Sequence, residues 1–342
     1  MSKKNSNVIL KNGFKDFQDL EKVYINFKNK LSKLKSKNFL VAISGGPDSL
    51  ALAAFSKALS YEKRISFQYI LINHNIRKNS AQEANQVKKL LKKYFISLKI
   101  FKNNKKINKN IQGEARNVRY EILTKYCYQK KIKTIITAHN LEDQVETFFI
   151  RLSRGSGLKG LSAMRDLTKI NNNIYLLRPF LSTKKIVLIK IAKTIFGKFF
   201  KDPSNRNTKY LRTKIRNLKK PLSYSGISYD QIIKSINNLA SSNAFLEEYF
   251  KKVCKKIVNI SKSKICIDLK KFKSLDSQIK IMIINDSIKR LIKNYYNPRS
   301  KKVISLIKNV DSLNFKSATL GGCLFFKKDD QLCLIKEKTR FS

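Results

Sequence analysis

Long apolar stretches are missing from this 342-residue sequence. No run approaches the roughly 20 residues that a membrane-spanning helix requires. The first seven residues are polar and lack the apolar core of a signal peptide. We therefore expect a cytoplasmic protein that does not enter a membrane.

Histidine is scarce, and cysteine pairs are absent from the sequence. The chain has two histidines, too few for a histidine-rich metal site, and none of its five cysteines forms a C-x-x-C pair. This argues against the usual zinc and iron–sulfur motifs. The cysteines are instead expected to be buried, reduced thiols of a reducing compartment: Cys127, Cys254, Cys266, Cys323 and Cys333.

Acidic residues are few, because 23 Asp and Glu stand against 73 Lys and Arg, a formal charge of +50. Such an excess goes far beyond what solubility requires and favours a polyanionic partner, nucleic acid before membrane. The abundance of Lys, Asn and Ile would equally follow from an AT-biased genome. Charge alone therefore leaves both explanations open.

Short apolar runs alternate with amphipathic stretches through the first two hundred residues, which is the pattern of a parallel α/β sheet. Predicted strands cover 38–43, 65–72, 97–101, 134–137 and 174–177, and predicted helices cover 50–59, 79–94, 114–129, 142–152 and 183–196. In the C-terminal part of the sequence, the spacing of apolar residues predicts one long helix or two shorter helices at 229–257. It also predicts a strand at 265–269, a helix at 274–295 and a hairpin at 320–335. We predict an α/β protein with a linker near 217–225: a parallel-sheet, Rossmann-like domain over 1–217, then a smaller, mainly helical α+β domain over 226–342.

A loop of sequence SGGPDS connects the first predicted strand to its helix. Glycines let backbone N–H groups curl around phosphate oxygens, and the helix N-terminus adds unpaired donors. Asp48 would repel an anion unless it holds Mg²⁺ against the phosphates. The spacing is neither a Walker A nor a dinucleotide motif. The candidate phosphate-binding residues are Ser44, Gly45, Gly46, Pro47, Asp48 and Ser49; the alternative is a structural turn with an ordinary cap.

Polar clusters also follow the second and fourth predicted strands, at the edge where a parallel sheet presents its ligand-binding residues. His74 follows the second strand, and His139, Asp143 and Glu146 follow the fourth. Carboxylates here can coordinate Mg²⁺ or hold an ammonium group. The simpler explanation is that they complement the dipole of their helix.

At these positions the sequence resembles the PP-loop ATP pyrophosphatases and, within them, the tRNA(Ile)-lysidine synthetases. Asn140 departs from the family, which commonly has a second histidine there. A weaker similarity, TLGGCLFF at 319–326, is to the family's C-terminal substrate-recognition domain. The sequence is expected to be the short form of the family, without the second C-terminal domain of longer members. The main shared motifs, in order, are SGGPDS at 44–49, NHNIR at 73–77, EARNVRY at 114–120, AHNLEDQVETF at 138–148, RGSGLKGLSAM at 154–164, RPF at 178–180 and DPSNRNTKYLRTKIR at 202–216.

The resemblance implies an enzyme that uses ATP to adenylate the wobble cytidine of an isoleucine tRNA with a CAU anticodon. Free lysine then displaces AMP and forms lysidine. Asp48, His139, Asp143 and Glu146 become the catalytic candidates, and His74 joins the loop in binding ATP. Asp48 and Asp143 are the expected Mg²⁺ ligands. The lysine ligands are expected to be Asp143, Glu146 and Arg178.

Five arginines are candidate contacts with the tRNA backbone. Two lie on a charged helical stripe, and three belong to the basic segment of the last motif. For both groups a solvated helix face is the alternative. They are Arg116, Arg119, Arg206, Arg212 and Arg216.

Other functions remain compatible with parts of the pattern. A tRNA sulfur transferase of the same superfamily would need reactive or cluster-binding cysteines, and the sequence offers no C-x-x-C pair for them. An amidotransferase-type ligase would need a glutaminase part, which the chain lacks, and would leave the charge unexplained. A non-catalytic RNA-binding protein would leave Asp48 and the carboxylates at 143 and 146 unused. A homodimer is compatible with the sequence.

Overall fold

The computed structural model describes residues 17–76, 79–103, 105, 111–171, 173–200, 210–261, 263–292, 298–312 and 315–337. The chain divides into two units, Met1–Ala240 and Ser241–Ser342. This division lies C-terminal to the linker expected at 217–225, and the domain bounds 1–217 and 226–342 stay a prediction. Within the described ranges, no helix is both long and apolar enough to cross a membrane.

The first unit is built around a sheet whose strands are β1 (Asn38–Ile43), β2 (Ser66–Asn73), β3 (Leu98–Lys102), β4 (Thr134–Ile136), β5 (Leu167–Lys169) and β6 (Tyr175–Leu177). Their order is β3-β2-β1-β4-β6-β5. Neighbouring strands are parallel except β5, which runs antiparallel to β6. The predicted parallel α/β sheet is confirmed, and β5 is an addition to it.

Helices cover both faces of this sheet because β1 is apolar on both sides. Phe39 and Val41 belong to one core cluster, and Leu40 between them belongs to another. The helices of this unit are α1 (Gln18–Ser32), α2 (Pro47–Glu62), α3 (Ser80–Lys92), α4 (Ile111–Gln129), α5 (Leu141–Leu152), α6 (Leu158–Leu161), α7 (Lys185–Phe196), α8 (Leu211–Asn217), α9 (Lys219–Tyr224) and the first part of α10 (Tyr229–Ile257). Helices α1, α2, α3 and α7 share the core of Phe39, and α4 shares that of Leu40.

The second unit has an antiparallel sheet of β7 (Val258–Ile260), β8 (Lys264–Asp268), β9 (Ser317–Leu320), β10 (Cys323–Lys328) and β11 (Gln331–Lys336). The strand order is β7-β8-β11-β10-β9. Its helices are the end of α10, α11 (Leu269–Lys273), α12 (Ser277–Leu291) and α13 (Ser300–Asp311). The expected hairpin is present as β10 and β11, and the segment expected as one long helix or two shorter helices is a single helix, α10.

The cysteines differ from the expectation of reduced thiols throughout. Cys266 and Cys333 form a disulfide, whereas Cys127, Cys254 and Cys323 are free. The reason is strand register: β8 and β11 place Cys266 and Cys333 directly opposite each other, with their Cα atoms 4.2 Å apart. Two residues 67 positions apart carry no sign of this pairing in the sequence.

Candidate active site

The loop at residues 44–49 is organised by one serine side chain. Ser49 Oγ accepts hydrogen bonds from the backbone N–H groups of Ser44 and Gly45, both at 3.1 Å, and donates to Gly46 O at 3.0 Å. Ser44 Oγ lies 3.2 Å from Ser49 Oγ. Ser49 thus shapes the loop from inside through these hydrogen bonds, and its expected contact with a phosphate stays a prediction.

Gly45 is required by its backbone and by its surroundings. Its φ is +84°, a conformation that L side chains rarely adopt. A Cβ at this position would also lie 2.6 Å from Cγ2 of Val87, a buried residue of α3. The loop can therefore pass close to α3 only with glycine here, and it leads directly into α2 at Pro47.

Asp48 lies in the first turn of α2, where N–H groups without helical partners create a favourable place for negative charge. Its Oδ1 is buried and has no hydrogen-bond partner among the described residues. Burial is the main cause that raises the pKa of this carboxyl to about 6, and Asp143 and Glu142 raise it further. The ammonium group of Lys185 and the side-chain amide of Asn140 lower the pKa and so act in the opposite direction.

Asn140 lies between the loop and the carboxylates that follow β4. It is 2 % exposed and caps α5 through a reciprocal pair of bonds: its Oδ1 accepts from Asp143 N at 3.0 Å, and its own N–H donates to Asp143 Oδ2 at 3.1 Å. Its side chain also lies near enough to Asp48 to lower the pKa of that carboxyl. One buried amide therefore caps the helix that carries Asp143 and stabilises the charge of Asp48, although these two carboxylates follow different strands, β4 and β1.

Glu142 has a structural contact that its position in the sequence did not reveal. Its Oε2 accepts a 2.9 Å hydrogen bond from the backbone N–H of Lys185, the first residue of α7. Its Oε1 lies 3.5 Å from Nζ of Lys219. Glu142 thus joins α5 to the start of α7, and this contact brings Lys185 to the carboxylate cluster.

Glu146 is enclosed by two arginines of α8. Its side chain is 3 % exposed, and its Oε2 lies 2.9 Å from Arg212 Nε and accepts a hydrogen bond from Arg216 Nη2 at 3.2 Å. Arg216 Nε also donates to Oε1. Burial raises the pKa of Glu146, and the two guanidinium groups oppose that rise. The structure thus directs both arginines at a carboxylate of the site, and their expected contact with tRNA stays a prediction.

Both histidines are held in the neutral form. Burial, assisted by three nearby arginines, lowers the pKa of His139 to about 3, although Asp143 opposes the shift. Its Nδ1 lies 2.9 Å from Thr137 Oγ1. Burial and Arg119 lower the pKa of His74 to about 4, and neither of its ring nitrogens has a hydrogen-bond partner among the described residues. Neutral imidazoles are suited to hydrogen-bonding a ligand and poorly suited to acting as acids at pH 7.

The remaining predicted residues lie in different settings. Arg178 is 6 % exposed, and its Nη1 donates to Arg165 O and Thr168 Oγ1, both at 2.9 Å, which ties it to the edge of β5. Arg116 packs over the ring of Tyr120 with its Cζ 5.0 Å from the centroid, and its charge reaches His139. Arg206 falls outside the described residues.

The site residues fit a magnesium ion shared with a phosphate ligand. Asp48 offers an unpartnered oxygen, and Asp143 lies close enough to shift its pKa. Mg²⁺ is commonly held by one or two carboxylates together with substrate phosphates and water. Over the described ranges, no group of three or more His, Cys, Asp and Glu residues is able to hold a metal by itself. The donor set therefore matches a shared ion and not a protein-enclosed one.

Lys185 and Asn140 are the site members that sequence reasoning missed or undervalued. Lys185 is one of many lysines, so composition gave no reason to single it out. Asn140 was noted only as a departure from a family pattern. Their roles depend on the approach of α7 and α5 to the loop, which a linear pattern does not contain.

Comparison with known proteins places the chain in a family. Residues 19–221 match the PP-loop domain. The chain is 31% identical to the tRNA(Ile)-lysidine synthase of Wolbachia sp. subsp. Brugia malayi over 329 residues, which is 95% of this chain and 74% of that protein. It is 30% identical to the tRNA(Ile)-lysidine synthase of Rickettsia felis, over 93% of this chain and 74% of the relative.

Among solved structures, a U34-tRNA thiolase from Methanococcus maripaludis is similar in fold. The TM-score is 0.54 at 19% sequence identity, and the match covers 65% of this chain and 80% of that one. At this identity the likeness concerns the fold alone.

Proposed function

Because the chain belongs to the tRNA(Ile)-lysidine synthase family and contains its PP-loop domain, we propose that it ligates free lysine to the wobble cytidine of an isoleucine tRNA with a CAU anticodon. It is an ATP-dependent tRNA-modifying enzyme. In the proposed first step, cytosine O2 attacks the α-phosphorus of ATP and pyrophosphate leaves. In the second, the lysine ε-amine attacks the adjacent ring carbon, and AMP leaves with the oxygen.

The observation that best supports this proposal is Asp48, a buried carboxylate with an open oxygen at the helix end of the loop. A buried charge without a partner is unfavourable unless a ligand completes it. The adjoining helix N-terminus favours an anion. A carboxylate and an anion-binding helix end are compatible only if a cation lies between them. Pyrophosphate would be the anion at the helix N-terminus, and a metal ion bound to it would be the cation beside Asp48.

Asp48 and Asp143 are the residues that would hold Mg²⁺. When bound, the ion would neutralise charge that develops on the departing pyrophosphate. The hydrogen bonds of Ser49 keep the loop in one shape, so little reorganisation is needed when charge develops. Lys185 lies close enough to influence Asp48 and can pair with a phosphate oxygen from the same side.

The lysine step needs a neutral amine, because an ammonium group has no lone pair with which to attack. Asp143 is the best candidate to orient or deprotonate it. Its side chain is 17 % exposed, whereas Glu146 is enclosed by Arg212 and Arg216. For Glu146 to bind lysine, at least one arginine must give way. Arg178 remains the proposed partner for the lysine carboxylate, through guanidinium nitrogens other than Nη1.

The decisive assay is incorporation of labelled lysine into an isoleucine tRNA transcript with a CAU anticodon. We expect labelling that requires both ATP and Mg²⁺ and is accompanied by one AMP per lysine. A transcript with uridine at the wobble position is the matched control and should stay unlabelled. Absence of labelling with the cytidine transcript, under conditions in which the protein binds ATP, would contradict the proposal.

A further inference from the structure

Apolar and basic side chains are exposed together along α9 and just after it, and the first residue of this helix, Lys219, reaches Glu142. They form a surface that we call the α9 rim, defined as Leu218, Lys219, Lys220, Tyr224 and Ile227. Tyr224 is 88 % exposed, the largest value among the exposed large apolar side chains of the described residues. Leu218 and Ile227 are each 43 % exposed. Exposed apolar side chains that are grouped and surrounded by polar residues are typical of interaction sites.

The rim is attached to the site by packing and by charge. Leu222 of α9 packs against the core cluster that contains Leu141 and Val145 of α5, the helix that carries Asp143. Lys219 reaches Glu142 at 3.5 Å and also lies 5.0 Å from the ring centroid of Tyr229. Tyr224 therefore ends a short helix that is anchored on α5.

The positive charge of the α9 rim favours an anionic partner. Residues 210–229 contain five Lys or Arg and no Asp or Glu. Arg212 and Arg216 are directed at Glu146, which leaves Lys214, Lys219 and Lys220 on the exposed side. An exposed aromatic ring among cations is the arrangement that binds single-stranded nucleic acid, with bases stacking on the ring and phosphates meeting the lysines. An acidic peptide would use the lysines but would have no need of the ring.

We propose that Tyr224 is a stacking platform for a nucleotide that neighbours the target cytidine in the tRNA loop. This inference rests on the proposed function and extends it to the positioning of the substrate. A base enters an active site only if it leaves its stack, and the loop must then be held by its remaining bases. The platform holds a neighbouring base while the cytidine lies at the carboxylates.

The experiment compares Tyr224→Ala with Tyr128→Ala in the full chain. Tyr128 is also exposed, at 54 %, but it lies at the end of α4 that leads into the start of β4, the opposite edge of the sheet. Affinity for an anticodon stem–loop is measured by fluorescence anisotropy. We expect Tyr224→Ala to weaken binding about tenfold, as loss of one stacked base does. Tyr224→Phe and Tyr128→Ala should bind like the wild type.

Two further measurements separate stacking from charge and from damage to the site. Replacing Lys219 and Lys220 by Gln should reduce the salt dependence of binding, whereas Tyr224→Ala should leave that dependence unchanged. Tyr224→Ala should also keep the stabilisation that an ATP analogue gives to the wild type in thermal unfolding.

Equal stem–loop affinity for Tyr224→Ala and the wild type would overturn the stacking role of Tyr224 and would leave the proposal of lysidine formation intact. If Tyr224→Ala weakened binding to a fully paired duplex as much as to the loop, the single-stranded partner would be wrong. A wild type that bound no tRNA would overturn both proposals.

Discussion

The interiors of the two units differ in what they bury. Among the buried polar and charged side chains of the described residues, all but Asn243 and Ser287 belong to the first unit, including Glu146 and Arg178. The second unit is filled with aliphatic and aromatic residues around Phe272 and Phe325. Burying polar groups costs free energy unless every group is paired. The first unit therefore carries a cost that the second avoids.

The position of these buried polar groups explains the cost. Several follow the carboxyl end of a strand: Asn73 ends β2, Asn103 follows β3, Asn140 and Glu146 follow β4, and Arg178 follows β6. A parallel sheet presents its ligand site at this edge. The polar interior of the first unit is thus concentrated where chemistry is proposed. The comparison predicts that polar substitutions will separate activity from stability in the first unit only.

The largest effect is expected from Asp48→Asn. Removing the charge should lower the rate of ATP-dependent lysine incorporation at least about a hundredfold. Stability should move the other way. The folded carboxyl has a pKa of about 6, above its usual value, so the native state binds the proton more tightly than the unfolded chain and loses stability as pH rises through 6. In magnesium-free buffer, denaturant unfolding should show the variant more stable than the wild type at pH 8 and equal to it at pH 4.

Asp19→Asn is the matched control, because Asp19 forms an exposed ion pair with Lys190 on the same unit. This substitution should leave the rate of lysine incorporation unchanged, and it should also leave the pH dependence of the unfolding free energy unchanged. An Asp48→Asn enzyme with full activity would remove the magnesium role. A variant less stable than the wild type at pH 8 would show that the favourable effect of Lys185 and Asn140 on the Asp48 charge outweighs the cost of burying it.

The second effect concerns the ion pair at Glu146. Arg216→Ala leaves a nearly buried carboxylate with one guanidinium, that of Arg212. Loss of a partner from a buried pair costs roughly 3–5 kcal/mol, and the remaining arginine should reduce this to about 2 kcal/mol of unfolding free energy. Arg290→Ala removes an exposed pair with Asp286 in the second unit and should cost below about 1 kcal/mol.

Chemical denaturation of both variants makes this comparison directly. Adding Glu146→Gln to Arg216→Ala should recover part of the loss, because the unpaired charge disappears. Equal losses for Arg216→Ala and Arg290→Ala would mean that the first unit is no more sensitive to broken ion pairs than the second.

Local patterns in the sequence predicted the parts of the fold that depend on neighbouring residues. The strand at 38–43 coincides with β1, and the SGGPDS loop joins it to α2 as expected. Helix α1 also has a readable signal, since its buried residues Leu20, Tyr24, Phe27 and Leu31 recur at helical spacing, although it was not among the predicted elements. The three-residue strands β5 and β7 carry no such pattern.

Contacts between distant segments could not be predicted in this way. Arg212 and Arg216 look like a basic surface in the sequence, and only the approach of α8 to α5 directs them at Glu146. The disulfide depends on the register of β8 and β11. In both cases the two contacting residues are more than sixty positions apart in the sequence. The periodicity of apolar residues along the chain does not indicate such contacts.

The smallest effect, and the sharpest separation of roles, is expected at Asn140. This side chain caps α5 and also lies close enough to Asp48 to stabilise the charged form of that carboxyl. Asn140→Ser keeps an oxygen for the cap but is too short to reach Asp48, whereas Asn140→Ala loses both contacts. Thermal unfolding should show about 1 kcal/mol of loss for alanine and almost none for serine. Lysine incorporation should fall about tenfold in both, as expected when a charged group loses a polar neighbour that stabilises it.

The second unit supplies the control for Asn140, because Asp276 caps α12 by accepting a hydrogen bond from Gln278 N at 2.8 Å. Asp276→Ala should lose as much stability as Asn140→Ala and keep its activity. If serine at 140 restored activity together with stability, Asn140 would be a cap like Asp276, and the polar interior at that point would need no functional explanation. If serine restored stability alone, the same amide would be shown to serve the fold through Asp143 and the chemistry through Asp48. The cost of burying it would then be explained by the site.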